Sequence, residues 1–98
     1  SAEASAKASS AAEVDYVVAE GPRIVPVEVK AGATGTLKSL HIFLREKGLP
    51  LGLRFNADPP TLLDTTTALP GGTPHAFRLL SLPLYLVGQT RRLIRAMP

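Results

Sequence analysis

The chain has no cysteine, which excludes disulfide frameworks and thiolate metal sites and fits a reducing cytoplasm. It also lacks any apolar run approaching the ~18–20 residues that a bilayer-spanning helix requires. Its first residues show no basic region followed by an apolar core, so no secretory signal is expected and a cytoplasmic location is. No GxxxxGK[ST] phosphate loop occurs, which removes that route to nucleotide hydrolysis. Histidine is scarce. His41 and His75 stand alone, with nothing in the sequence to give either a nucleophile or an acidic partner, so both are expected on the surface or in packing roles. Acidic residues are outnumbered 8 to 11, for a net charge of +3. That mild excess suits a phosphate-bearing partner and is too small to establish one.

What is present describes one globular domain. The 98 residues are 45% hydrophobic, enough for a single core and no more. Residues 1–12, SAEASAKASSAA, are nearly all Ala and Ser with no apolar stripe, and read as a linker or weak helix. The domain proper is expected over residues 13–98.

Its organising stretch is EVDYVVAEGPRIVPVEVK, Glu13 to Lys30. Period-two alternation sets Glu13, Asp15 and Val17 against Val14, Tyr16 and Val18, and Val25, Val27 and Val29 against Ile24, Pro26, Glu28 and Lys30. A turn at Gly21-Pro22 pairs residues whose numbers sum to 43, so Asp15 falls opposite Glu28 and Glu13 opposite Lys30. Like charges across a ladder repel. The Asp15–Glu28 pair therefore calls either for a shared hard cation, which takes oxygen ligands, or for a well-solvated sheet face with Glu13–Lys30 as an ordinary cross-strand pair.

Further along, AGATGT (31–36) is a small-residue loop in which Thr34 or Thr36 is a candidate helix N-cap. Leu37, Leu40 and Leu44, with Phe43, give a helix to about Lys47 its buried stripe, while Lys38, His41 and Arg45 recur on another face. Gly48 and Pro50 end it. Leu51 to Phe55 reads as a strand, and a strand–helix–strand order makes it parallel to the 24–30 strand. The helix is expected on the Val25/Val27/Val29 face, leaving the Asp15/Glu28/Lys30 face more open. Residues 57–76 carry Pro-Pro, three consecutive Thr and Gly-Gly, and are expected as a mobile loop. A strand over 77–82 and a helix from Pro83 to about Ala96 close the chain, the helix carrying an apolar stripe of Leu86, Leu93 and Met97 with Val87 and Ile94. Arg91, Arg92 and Arg95 in its last turns complement the helix dipole or contact phosphate. The expected fold is α/β, a mixed sheet of about four strands with helices at about 37–47 and 83–96.

Asp15, Glu28 and Lys30 form the chemical constellation. Glu28 and Lys30, two apart on a strand, project to one side. Metal-assisted phosphodiester cleavage needs carboxylates for Mg²⁺ or Mn²⁺, an ion-bound water, and a cation against the developing phosphate charge. Asp15 and Glu28 suit the first and Lys30 the last.

With its Asp…Glu-x-Lys hairpin followed by a helix, the chain resembles the PD-(D/E)XK nuclease superfamily. The blocks EVDYVV, IVPVEVKAG, LKSLHIFLREKGLP and LLSLPLYLVGQTRRLI resemble, in order, the uncharacterised C-terminal domain of prokaryotic AAA-type ATPases, over roughly Ala12 to Arg95. The resemblance implies a restriction-endonuclease-like core from a larger ATPase whose nucleotide-binding module is not in this sequence. It implies Asp15, Glu28 and Lys30 as catalytic residues, the two carboxylates as ligands of Mg (or Mn), and Glu13 as a helper. DNA is the implied partner, with Lys38, Arg45, Arg91, Arg92 and Arg95 as candidate phosphate contacts. Domains of this fold also bind without cutting, so an inactive accessory domain for DNA or a protein is the alternative, and a module that only packs on its ATPase is a third.

Overall fold

A computed structural model describes residues 13–29 and 37–98. The expectations for residues 1–12, for Lys30 and for the Thr34 or Thr36 cap lie outside the described residues.

The hairpin forms as the alternation requires. Strands β1 (Tyr16–Glu20) and β2 (Arg23–Val29) turn at Gly21 and Pro22 and pair Tyr16 with Val27, Val18 with Val25 and Glu20 with Arg23. This is the register expected from the sequence. Helix α1 (Lys38–Lys47) follows, with Leu37 at the N-cap position making no side-chain cap and Gly48 ending it at φ 64°. That left-handed geometry costs glycine nothing. Strand β3 (Leu51–Asn56) lies parallel to β2, as expected from the crossover, with Val27 beside Leu53 and Glu28 beside Arg54.

Residues 57–76 depart from expectation. They contain a strand, β4 (Thr61–Thr66), antiparallel to β5 (Ala76–Pro83), which itself lies parallel to β3. The β-branched Thr run that shows no helical period suits a pleated edge strand, and Asp64 faces Arg78 across the ladder, 3.5 Å apart. The sheet thus has five strands, ordered β1-β2-β3-β5-β4, rather than about four. The rest of the segment is tied down too: Thr67 and His75 exchange hydrogen bonds, and Arg45 Nη1 donates to Gly71 O at 2.8 Å.

The expected C-terminal helix is divided into a 3-10 segment, Leu84–Gln89, and a short α2, Thr90–Arg95. Gly88 disfavours continuous helix there, and Thr90 Oγ1 donates back to Val87 O at 2.6 Å. The apolar stripe still packs: Leu86, Leu93 and Met97 surround Ile94, which is fully buried against Val25, Val27, Leu53 and Phe55. Arg23 fastens this end to the hairpin, its guanidinium donating to the carbonyls of Ile94 and Met97 at 3.0 and 2.9 Å.

That packing corrects the expectation about α1. The Val25/Val27 face is covered by the C-terminal segment. α1 lies on the opposite face, where Leu40 and Leu44 cluster with Phe77 and Leu79. Alternation puts Pro26, Glu28 and Gly52 on that same α1 side. Gly52 makes the approach close, since a Cβ there would lie 2.9 Å from Leu44 Cδ1. Gly52→Val is expected to push α1 off the sheet and cost about 1–3 kcal/mol, the usual penalty of overpacking; urea denaturation reads it directly.

His41 on α1 supplies a second test. Its ring packs edge-on against Phe77, with centroids 5.2 Å apart, and its Nδ1 accepts from Ala68 N–H at 2.9 Å. Burial holds its pKa below the ordinary 6.5, and a proton on Nδ1 would displace the Ala68 bond. A lowered folded pKa means that the unfolded chain binds the proton more readily. The stability this histidine contributes is therefore complete above pH 6.5 and lost as pH falls through the folded value. Unfolding between pH 7.5 and 5 should show a steeper loss in wild type than in His41→Gln; equal slopes would remove the assignment.

A candidate site at the carboxyl ends of the parallel strands

Strands β2, β3 and β5 run parallel and end on the same side of the molecule, the side on which open α/β sheets bind ligands. Asp15, just ahead of β1, reaches this end. Its Oδ2 accepts from Val29 N–H at 2.6 Å, which extends the hairpin one step past its ladder. Such a short, charge-assisted bond orients the carboxylate. Glu28 lies on the rung that the register continues opposite Asp15, and it is 8% exposed.

A polar row crosses the sheet from Glu28. Arg54 of β3 is its ladder neighbour, Ser81 of β5 is the neighbour of Arg54, and Thr61 of β4 is the neighbour of Ser81. Paired residues project to one face, so the four form a line beside α1. Arg54 donates from Nε and Nη2 to Ser81 Oγ at 3.0 and 2.9 Å. One rung further, Asn56 is buried and its Oδ1 accepts from Asp58 N–H at 3.1 Å. The sequence reading missed Arg54 and Ser81. The available signal was a lone Arg in LGLRFN and a lone Ser in LLSLPL, polar groups in strands otherwise apolar enough to be buried.

Asp15 and Glu28 are thus brought to one end of the hairpin, whereas the five basic candidates are not brought together. Lys38 and Arg45 lie on α1, and Arg91, Arg92 and Arg95 lie on α2, across the sheet. Arg95 Nε donates to Glu20 Oε2 at 3.0 Å, and Arg91 pairs with the same carboxylate at 3.8 Å and donates to Ala19 O. Arg92 Nε donates to Gln89 Oε1 at 2.8 Å. Arg91 and Arg95 therefore dock α2 on edge strand β1. Together with Tyr16, Val87 and Thr90 they also line a groove of about 570 Å³. Burial raises the Tyr16 phenol above its ordinary pKa, a hydrogen bond with Thr90 opposes this and the Asp15 charge adds to it, so Tyr16 stays neutral at physiological pH.

The donor set suits a hard divalent ion. Asp15 and Glu28 offer carboxylate oxygens, and Mg²⁺ characteristically takes one or two carboxylates and keeps its waters. Among the described residues no group of three or more His, Asp or Glu is placed to hold a metal.

The architecture defines an α/β protein: a five-stranded mixed sheet with helices on both faces. Residues 6–61, more than half of the chain, match the model of the Domain of unknown function (DUF4143), and the chain belongs to that family. No curated protein and no solved structure matches the chain significantly.

Proposed function

We propose that this is a PD-(D/E)XK-like nuclease domain with a restriction-endonuclease-like core, part of a larger AAA-type ATPase, that hydrolyses DNA phosphodiester bonds with Mg²⁺ or Mn²⁺. The observation that supports the reading is the β1–β2 register, whose continuation one rung past Tyr16–Val27 sets Asp15 opposite Glu28 near the carboxyl ends of the parallel strands. Asp15 and Glu28 would hold the ion, which when bound supplies Lewis acidity and an activated water. The Val29 N–H fixes the Asp15 carboxylate through Oδ2 and leaves Oδ1 for the site. Buried Glu28 strengthens any charge interaction it makes by excluding water. Lys30 is assigned to the phosphate charge.

A second reading, a non-cleaving accessory domain for DNA or a protein, draws support from the burial of Glu28 on the rung beside Arg54, a position at which a carboxylate is accommodated within the sheet. Plasmid nicking over a Mg²⁺ and Mn²⁺ titration separates the two when run on wild type, Asp15→Ala and Lys30→Ala. Metal-dependent nicking lost in both variants supports the nuclease; DNA binding with no nicking supports the accessory domain.

A further inference from the structure

We infer that the outer edge of β1 is a self-association surface, on which a second copy of this chain pairs antiparallel, Val17 against Val17, across a twofold axis. The inference stands apart from the nuclease reading and survives its failure.

β1 is an end strand of the sheet, so only its inner side carries a strand partner among the described residues. Ala19 O shows which groups face outward, because it accepts from Arg91 of α2. Alternate residues of an antiparallel strand share that direction, so the N–H and C=O of Val17 face outward as well. Val17 sits opposite Pro26, which has no N–H to offer, as suits a rung without ladder bonds. Edge strands are normally blunted by charge, proline or a bulge. The Tyr16-Val17-Val18 run has none of these, and Val17 is 44% exposed. Alongside it runs the groove between β1 and the C-terminal segment, where Tyr16 and Val87 are 37% and 48% exposed. A contiguous apolar edge of this kind marks an interaction surface.

Charge selects the occupant. Glu13 and Asp15 are exposed at the start of β1. At its other end Arg91 and Arg95 share the carboxylate of Glu20, and Arg92 donates to the neutral Gln89. An antiparallel second copy brings each acidic start beside the other copy's cationic end, twice over by symmetry. Parallel pairing would set like charges side by side. In the antiparallel register Tyr16 of each copy meets Val18 of the other, an aromatic–β-branched pair of the kind that sheets favour. Arg91 covers the Ala19 carbonyl in the single chain, and on pairing it yields that carbonyl and turns to the acidic start of the second copy. The sheet's other end strand, β4, follows Pro59 and Pro60 and has Asp64 as its one charge, paired with Arg78. It offers no such complementarity.

Sedimentation velocity from about 1 μM to about 1 mM protein tests this, a range suited to the weak association of a short strand pair. Wild type is expected to pass from monomer to dimer, and added salt should weaken the dimer. Val17→Lys sets two ammonium groups across from one another and should raise the dissociation constant at least roughly tenfold. Its melting temperature in dilute solution should stay that of wild type. The chain has no cysteine, so single-cysteine variants report the register. Val17→Cys should cross-link to itself on oxidation with diamide, and Leu63→Cys on β4 should not. A chain that stays monomeric throughout overturns the inference and leaves this edge to a different partner. So does a dimer indifferent to Val17→Lys, or one that cross-links through Leu63→Cys in place of Val17→Cys.

Discussion

Glu28→Gln should abolish metal-dependent cleavage while leaving the protein folded. The amide keeps the shape of the buried side chain and one acceptor oxygen, and removes the charge that a divalent ion needs. Loss of a metal's contribution is worth several kcal/mol of transition-state stabilisation, so nicking should fall by at least roughly 10³-fold. Asp15→Asn is the companion. Its side-chain oxygen can still accept the Val29 N–H that Asp15 Oδ2 accepts now, so the hairpin end should keep its geometry while the ion loses a ligand. Melting temperatures near wild type in both variants, with cleavage lost, would separate chemistry from folding. Full activity in either variant would remove that carboxylate from the mechanism.

Phe55→Ala is expected to have the largest effect on stability. Phe55 is fully buried on β3, in the cluster that joins Val25, Val27 and Leu53 to Leu82 and Ile94. Truncating a buried phenylalanine typically costs about 3–5 kcal/mol through lost transfer energy and the cavity left behind. Small domains hold only about 5–15 kcal/mol in total, so the variant should melt far below wild type or fail to fold at 37 °C. Because Phe55 alternates with Arg54, its side chain faces away from the polar row. Any DNA binding that survives in the folded fraction should keep the wild-type salt slope. Chemical denaturation measures the first expectation; a loss below about 1 kcal/mol would mean that the site collapses around the missing ring.

Much of the hairpin was legible because its determinants are local. Alternation defined two faces, Gly21-Pro22 placed the turn, and those constraints together set the register that the structure has. The crossover strand followed from connectivity, and Gly48 marked the helix end. What could not be read was long-range. The stripe of Leu40 and Leu44 says that α1 buries a face but not which side of the sheet receives it. That choice is decided by Ile94, some fifty residues later, and by the absence of a side chain at Gly52. Strand β4 was hidden because its side chains are mostly exposed and its partner lies beyond the Gly-Gly turn.

The same distinction applies to the site. Asp15 and Glu28 were visible as a pair because one hairpin positions both. Arg54 and Ser81 come from strands β3 and β5, which meet only when the sheet assembles, so their relation appears in no sequence spacing. Of the α2 arginines, conspicuous in the sequence as a cationic run, Arg91 and Arg95 turn out to hold Glu20 and the edge of β1, and Arg92 holds Gln89.

The most direct test of the account is the stoichiometry of Mn²⁺ binding by electron paramagnetic resonance, on wild type, Asp15→Asn and Glu28→Gln under identical conditions. The account predicts one tightly bound Mn²⁺ per chain in wild type and none at the same metal concentration in either variant. A wild type that binds no Mn²⁺, or variants that bind it as wild type does, would contradict it.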